Sequence, residues 1–314
     1  MLKYLITTTI LFASPLAAGS LRVVADIAPV HSLTAQVMGD LGAPELLTAP
    51  GANPHSHALR PSEAARLQNA DLLVWIGPLM SPWLGEAKAE MAPDAASLSL
   101  MEAEGTLLLD KRGAEDHDHT HEHEHEHERN HDDNKDHDSH DEETAAKDAH
   151  AWLSPDNALI WLTRIADRLA SLDPDNAATY HSNAAAAGEA LKLQIAETEA
   201  RLAPLAAREF LTAHDAYQYF QRRFGLTSHA AVSNADDQDA GPAHLRALLE
   251  DGADLACFVV EPSTAKASIA LVVDTLNIPA VEIDALGAAL PLGKGHYAAL
   301  MAHLTEGFQT CLTP

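Results

Sequence analysis

Residues Ser154 to Leu202 read "SPDNALIWLTRIADRLASLDPDNAATYHSNAAAAGEALKLQIAETEARL". The first part is a helix signal, with Ser154 as N-cap and Pro155 at the first helical position. A second helix is predicted from Pro174 to Leu202. At about 1.5 Å per residue it reaches some 40 Å, enough to bridge two lobes as a stiff hinge. On either side, strand-like apolar runs alternate with helical patterns, which points to α/β layers with largely parallel sheets. The predicted strands before it are "LRVVADI" (21–27), "ELLTA" (45–49) and "DLLVWIG" (71–77); those after it are "EFLTAH" (209–214), "SHAAV" (228–232), "LACFVV" (255–260) and "PAVEID" (279–284). "NADLLVWIGP" from Asn69 and "GADLACFVVEP" from Gly252 echo each other, each an Ala-Asp-Leu opening into a buried strand and closing with Pro. The expectation is therefore two similar α/β lobes, 20–172 and 204–314, joined by a linking helix at 173–203.

Residues 1–19 combine Lys3, an apolar run and small residues before a cut near Ala18 to Ser20, which reads as a secretory signal peptide. No later segment approaches the roughly 20 apolar residues of a membrane helix. A periplasmic chain without membrane insertion is expected. The only cysteines, Cys257 and Cys311, are expected to pair in an oxidising compartment. Closing that loop would stabilise the fold by about 4 kcal/mol on a chain-entropy argument; two unrelated buried thiols are the alternative.

The formal charge of -26 is concentrated. Glu115 to Glu143 holds fourteen acids against Arg129 and Lys135. Nothing basic is clustered, so nucleic acid and anionic membrane surfaces are poor partners. Within this 114–143 tract stand nine histidines, His117, His119, His121, His123, His125, His127, His131, His137 and His140. With almost no apolar residues the tract is expected to be a disordered loop. Ordering it around an ion costs entropy at every residue, so its sites should be weaker and more exchangeable than a preformed cleft, accessory sites for roughly two or three metals.

Four other residues sit where α/β sheets bind ligands, beyond the carboxyl ends of strands. His55 and the nearby His57 lie in the Gly/Pro loop "GANPHSHALRPSE" after the second predicted strand. His150 precedes the capped helix, in "DAHAWLSP". His214 ends "EFLTAH", and Asp284 ends "VEID". Three imidazoles and a carboxylate, His55, His150, His214 and Asp284, would complete a tetrahedral Zn(II) shell. Spacing alone is weak support, since the four are scattered and carry no HExxH or CxxC pattern.

"GANPHSHALRPSE", "DAHAWLSPDNA", "FLTAHDAYQYFQRRFGL" and "EIDALG", in that order around an internal His-rich tract, resemble the ZnuA-like zinc-binding proteins of bacterial ABC importers. The resemblance spans the whole mature chain. It implies a non-enzymatic periplasmic protein, a monomer that carries Zn(II) to a membrane permease, with periplasmic zinc chaperones as further partners. It also implies His55, His150 and His214 as ligands, Asp284 or water as the fourth, and a Cys257–Cys311 disulfide. Some members carry Glu just before the first His, where this chain has Pro54. Related manganese importers are expected to carry a carboxylate at the position of His214, and Mn(II) prefers oxygen donors, so three His favour zinc.

His57 could face solvent or exchange with His55, and His31 in "APVHSL" reads more simply as a packed or capping residue. No role is assigned to His181, His229, His244, His296 or His303. Two other functions fit the composition. A secreted zinc hydrolase would need a general base, for which Glu63 and Glu261 are the candidates. A metal buffer or sensor would use the His-rich tract as its main site.

Overall fold

The computed structural model describes residues 21–112, 147–233 and 254–314. The predicted signal peptide and the His-rich tract with its nine histidines lie outside the described residues. The first lobe runs β1 (Val23–Ala25), α1 (Ala28–Met38), β2 (Glu45–Leu46), α2 (Pro61–Gln68), β3 (Leu72–Trp75), α3 (Pro82–Met91) and β4 (Ala96–Ser99). Helices α4 (Pro155–Leu172) and α5 (Ala177–Leu202) follow. The second lobe runs β5 (Glu209–His214), α6 (Gln218–Phe224), β6 (Thr227–Ser233), β7 (Leu255–Val260), α7 (Lys266–Leu276), β8 (Ala280–Glu282) and α8 (His296–Leu312).

Both sheets are parallel and share one topology, β2-β1-β3-β4 in the first lobe and β6-β5-β7-β8 in the second. The two echoing sequence segments fall on β3 and β7, the third strand of each sheet and so equivalent positions. These strands are buried along their whole length, as continuous apolar runs in a two-faced sheet must be. The fold is thus two similar α/β lobes.

Ser154 caps α4 as expected, its hydroxyl accepting the Asn157 N–H at 3.1 Å, with Pro155 in the first turn. The long helix begins later than the sequence suggests. Pro174–Asn176 form a separate 3-10 turn, in which the Asp173 carboxylate accepts from Asn176 Nδ2 (2.7 Å) and the Tyr180 hydroxyl (2.8 Å). The 26 residues of α5 still span about 39 Å.

This helix is no free-standing rod. Its Tyr180, Ala184, Leu191, Ile195 and Leu202 belong to one apolar cluster that continues from Val23 and Val74 of the first sheet, through Trp161 and Ile165 of α4, to Phe210, Cys257 and Phe308 of the second lobe. A core shared between the lobes resists large hinge motion, because opening it would expose close-packed apolar surface. Direct bonds reinforce the seam. Ser32 Oγ donates to Lys294 O (3.0 Å) and accepts the Tyr297 N–H (2.9 Å), the Tyr297 hydroxyl donates to Trp152 O (2.9 Å), and Trp152 Nε1 donates to Ala285 O (2.9 Å). The Cys257–Cys311 disulfide ties β7 to α8 with both sulfurs buried, and the cysteines pair as expected.

Candidate metal site

Loops and a strand end from both lobes bring three histidines together. The imidazole of His150 stands 5.7 Å from that of His55 and 4.9 Å from that of His214, measured between ring centroids. An ion about 2.0–2.1 Å from one nitrogen of each ring would lie about 3.2 Å from each centroid, so two rings at a tetrahedral angle would stand about 5.2 Å apart. Both observed spacings bracket that value. Among the described residues no three His, Cys, Asp or Glu side chains have donor atoms already grouped as a finished metal site. Ligation therefore requires these adjoining rings to turn toward a shared centre.

Each ring is held by its own surroundings. His55 lies in the loop between β2 and α2, its amide bonded to Asn53 Oδ1 (2.9 Å) and its Nε2 buried. The preceding Pro54 carbonyl accepts from Trp83 Nε1 at 2.9 Å, which fastens this loop to α3. His150 is buried just before α4. Asp148 Oδ1 accepts both the His150 amide (2.9 Å) and His150 Nδ1 (2.7 Å). His214 closes β5, and its Nδ1 meets Glu261 Oε2 at 3.2 Å, one residue past β7. In both pairs the carboxylate fixes the Nδ1–H tautomer and leaves Nε2 as the donor for an ion, the usual service of a carboxylate behind a metal-binding imidazole.

Asp284 follows β8 and is used differently. Its Oδ1 accepts the N–H groups of Leu286 and Gly287, both at 2.9 Å, and its Oδ2 accepts that of Ala288 at 2.6 Å. A carboxylate offers about four lone-pair positions, so about one remains for a further partner. The Asp284 amide in turn donates to His303 Nε2 at 3.0 Å. Its loop packs against the His55 loop, where a side chain added at Gly51 would come within 3.9 Å of Ala288 Cβ.

His57 does not join the three rings. Its Nε2 bonds Glu63 Oε2 at 2.8 Å, with both side chains nearly inaccessible, and its ring lies 5.4 Å from that of Trp83. The same Glu63 oxygen accepts the Arg60 N–H at 2.8 Å and so caps α2. Burial works against the charged carboxylate, but Arg60 and His57 outweigh it and hold the Glu63 pKa below its usual value. Glu63 and Glu261, the two candidate general bases, are thus both engaged in holding histidines.

Next to His214, Asp215 is buried enough to raise its pKa, against the opposing pull of Arg112 and the two neighbouring imidazoles. At the end of β1, Asp26 Oδ1 accepts the Ile27 N–H and Oδ2 the Ile76 N–H, each at 2.8 Å. Complete burial still raises its pKa to about 7.

His31 is a packed residue of α1, with Nε2 3.0 Å from Pro44 O. Of the histidines given no role, His229 pairs with Glu209 across β5 and β6 at 3.2 Å, His181 lies 3.8 Å from Asp167, and His296 is buried against Leu286 O at 3.0 Å. His244 lies outside the described residues. The supporting roles of Asp148, Glu261 and His303 were not legible in the sequence, where Glu261 stood as a candidate general base and His303 had no role. Only "DAH", an acid two residues before a candidate ligand, offered a signal.

Two parallel-sheet lobes with a shared core and a histidine cluster drawn from both have the form of a two-lobed binding protein. Over residues 23–311 the chain matches the ZnuA family, described as zinc-uptake complex component A, periplasmic, and it belongs to that family. It is 39% identical over 307 residues to the high-affinity zinc uptake system protein ZnuA of Paracoccus denitrificans, covering 96% of this chain and 94% of that one. The corresponding protein of Brucella suis is 32% identical over 314 residues, with 96% and 94% covered. A crystal structure of ZnuA superposes with a TM-score of 0.74 at 22% identity, covering 93% of this chain and 98% of that one. A zinc-bound ZnuA deletion mutant gives 0.75 at 21% identity, covering 94% and 99%.

Proposed function

We propose that this chain captures Zn(II) in the periplasm, holds it in the cleft through His55, His150 and His214, and delivers it to the membrane permease of an ABC importer. The observation that carries this reading is the meeting of three imidazoles from separate segments of both lobes, at spacings that suit one tetrahedral ion. Family membership and the naming of its relatives as high-affinity zinc uptake proteins support the choice of metal and of task. Imidazole donors favour zinc over manganese, whose harder ion prefers oxygen. Asp284 supplies the fourth ligand through its remaining lone pair, or water takes that place. Bound zinc has cleft residues of both lobes around it, while the shared core limits closure to local movement.

The His-rich tract collects zinc or senses its abundance as an accessory segment. Among the described residues no helix is long and apolar enough to cross a membrane. Replacing His214 with Ala tests the assignment. The tightest zinc equivalent should be abolished while the circular dichroism of the metal-free protein stays unchanged; undiminished first-site affinity would sink the cleft site.

A further inference from the structure

The two first-lobe segments that flank the His-rich tract are both fastened to the second lobe. Asp110 and Lys147 form an antiparallel bridge, and Lys147 Nζ reaches Asp110 Oδ1 at 2.5 Å. The Leu109 N–H donates to the Tyr219 hydroxyl (3.0 Å), which donates to Asp148 O (2.9 Å), and Gln218 Nε2 donates to Asp110 O (3.2 Å). Gln218 and Tyr219 open α6, shortly after His214. Further along, Arg112 crosses between the lobes. Its Nη1 lies 3.0 Å from Asp215 Oδ1 and 2.6 Å from Ser228 Oγ, and its Nη2 lies 2.5 Å from Gln221 Oε1. One planar guanidinium thus holds the turn after β5, helix α6 and strand β6 at once, through a rigid fork of donors that a flexible ammonium lacks.

We propose that Arg112 is a positioning residue for the metal cleft, a cross-lobe strap that keeps His214 at ligating distance from His150. The proposal rests on the reading of the cleft as the zinc site. A continuous circuit of bonds supports it. From His214 the chain steps to Asp215 and across to Arg112; from the same first-lobe segment it passes through Asp110 and Lys147 to Asp148, whose carboxylate holds His150. The two rings, 4.9 Å apart, are therefore tied together through the protein's own bonds. A ligand pair held in place beforehand loses less freedom on binding and releases its ion more slowly.

Charge alone makes the opposite prediction. A cation beside a Zn(II) site repels the ion, so deleting Arg112 would slow release while neutralising Asp215 would hasten it. A strap predicts faster release from both variants, because each cuts the same link.

The test is stopped-flow transfer of zinc to excess chelator from the full mature chain loaded with one equivalent, for wild type, Arg112→Ala, Arg112→Lys, Asp215→Asn and the Arg112→Ala/Asp215→Asn double variant. Each Ala or Asn single variant should release zinc about tenfold faster, the cost typical of losing a group that orients a metal ligand. The double variant should be no faster than the faster single one, and Arg112→Lys should fall between wild type and Arg112→Ala. Thermal midpoints of the metal-free proteins should stay within a few degrees. Release from Arg112→Ala at the wild-type rate or slower would overturn the strap, as would additive effects in the double variant. Should Arg112→Ala unfold, Arg112→Lys decides, because it keeps the charge and loses the planar fork: a strap predicts release faster than wild type, and release at the wild-type rate would overturn it. A wild type without a tight zinc equivalent would overturn the zinc reading, and the strap with it.

Discussion

Asp148 Oδ1 receives the ring and the backbone of His150 together, at 2.7 Å from Nδ1 and 2.9 Å from the amide nitrogen. One carboxylate oxygen thus sets both the tautomer and the orientation of a candidate zinc ligand. Asp148→Ala should lower zinc affinity about 10- to 100-fold with no loss of the binding equivalent. Competition against a chelator of known affinity measures this, and unchanged affinity would show that Asp148 serves only the loop.

His55 and His57 are two residues apart, yet one faces His150 and the other is committed to Glu63. His55→Ala should lose the tight zinc equivalent. His57→Ala should keep it and unfold at lower denaturant, because buried Glu63 loses one of its two partners and keeps only the Arg60 N–H, at a cost of about 1–3 kcal/mol. Zinc stoichiometry with a denaturant titration on both variants separates the roles, and loss of zinc from His57→Ala would exchange them.

Asp26 makes stability depend on pH in a defined direction. Its folded-state pKa is raised to about 7, above that of the unfolded chain, so the fold favours its protonated form. The stabilisation it contributes is complete below about pH 4 and is lost as pH rises through 7. The stability of wild type relative to Asp26→Asn, which does not titrate, should therefore fall between pH 4 and 8 by on the order of 2–4 kcal/mol. Urea unfolding of the metal-free proteins at several pH values gives the slope, and a flat difference would contradict it.

The disulfide between β7 and α8 should act on stability and not on metal. A Cys257→Ser/Cys311→Ser variant is expected to lose about 2–5 kcal/mol and keep its zinc equivalent. Denaturant midpoints and a zinc titration check both halves of that statement.

The sequence made the strands with strong apolar runs easy to read. Glu209–His214 and Leu255–Val260 are bounded as the residues suggest. Strand β4 was not legible, because "ASLS" contains one large apolar residue and forms an edge that β3 alone supports. The start of α5 shifted because the Asp173 carboxylate engages Asn176 and Tyr180, a contact that no periodicity reveals. At the site, candidate ligands could be located because strand ends and Gly/Pro loops mark the cleft. The groups behind them could not, since Glu261 meets His214 from 47 residues away and His303 meets Asp284 from 19. The bonds that turn both Asp284 oxygens into their own loop were equally hidden, and they bear directly on its standing as a fourth ligand.

The central claim is that the cleft, and not the His-rich tract, holds the tightly bound ion. A competitive zinc titration of the mature chain lacking Glu115 to Glu143 tests it most directly. The account predicts one tight equivalent with the affinity of the full-length protein and loss of only the weaker ones; disappearance of the tight equivalent along with the tract would contradict it.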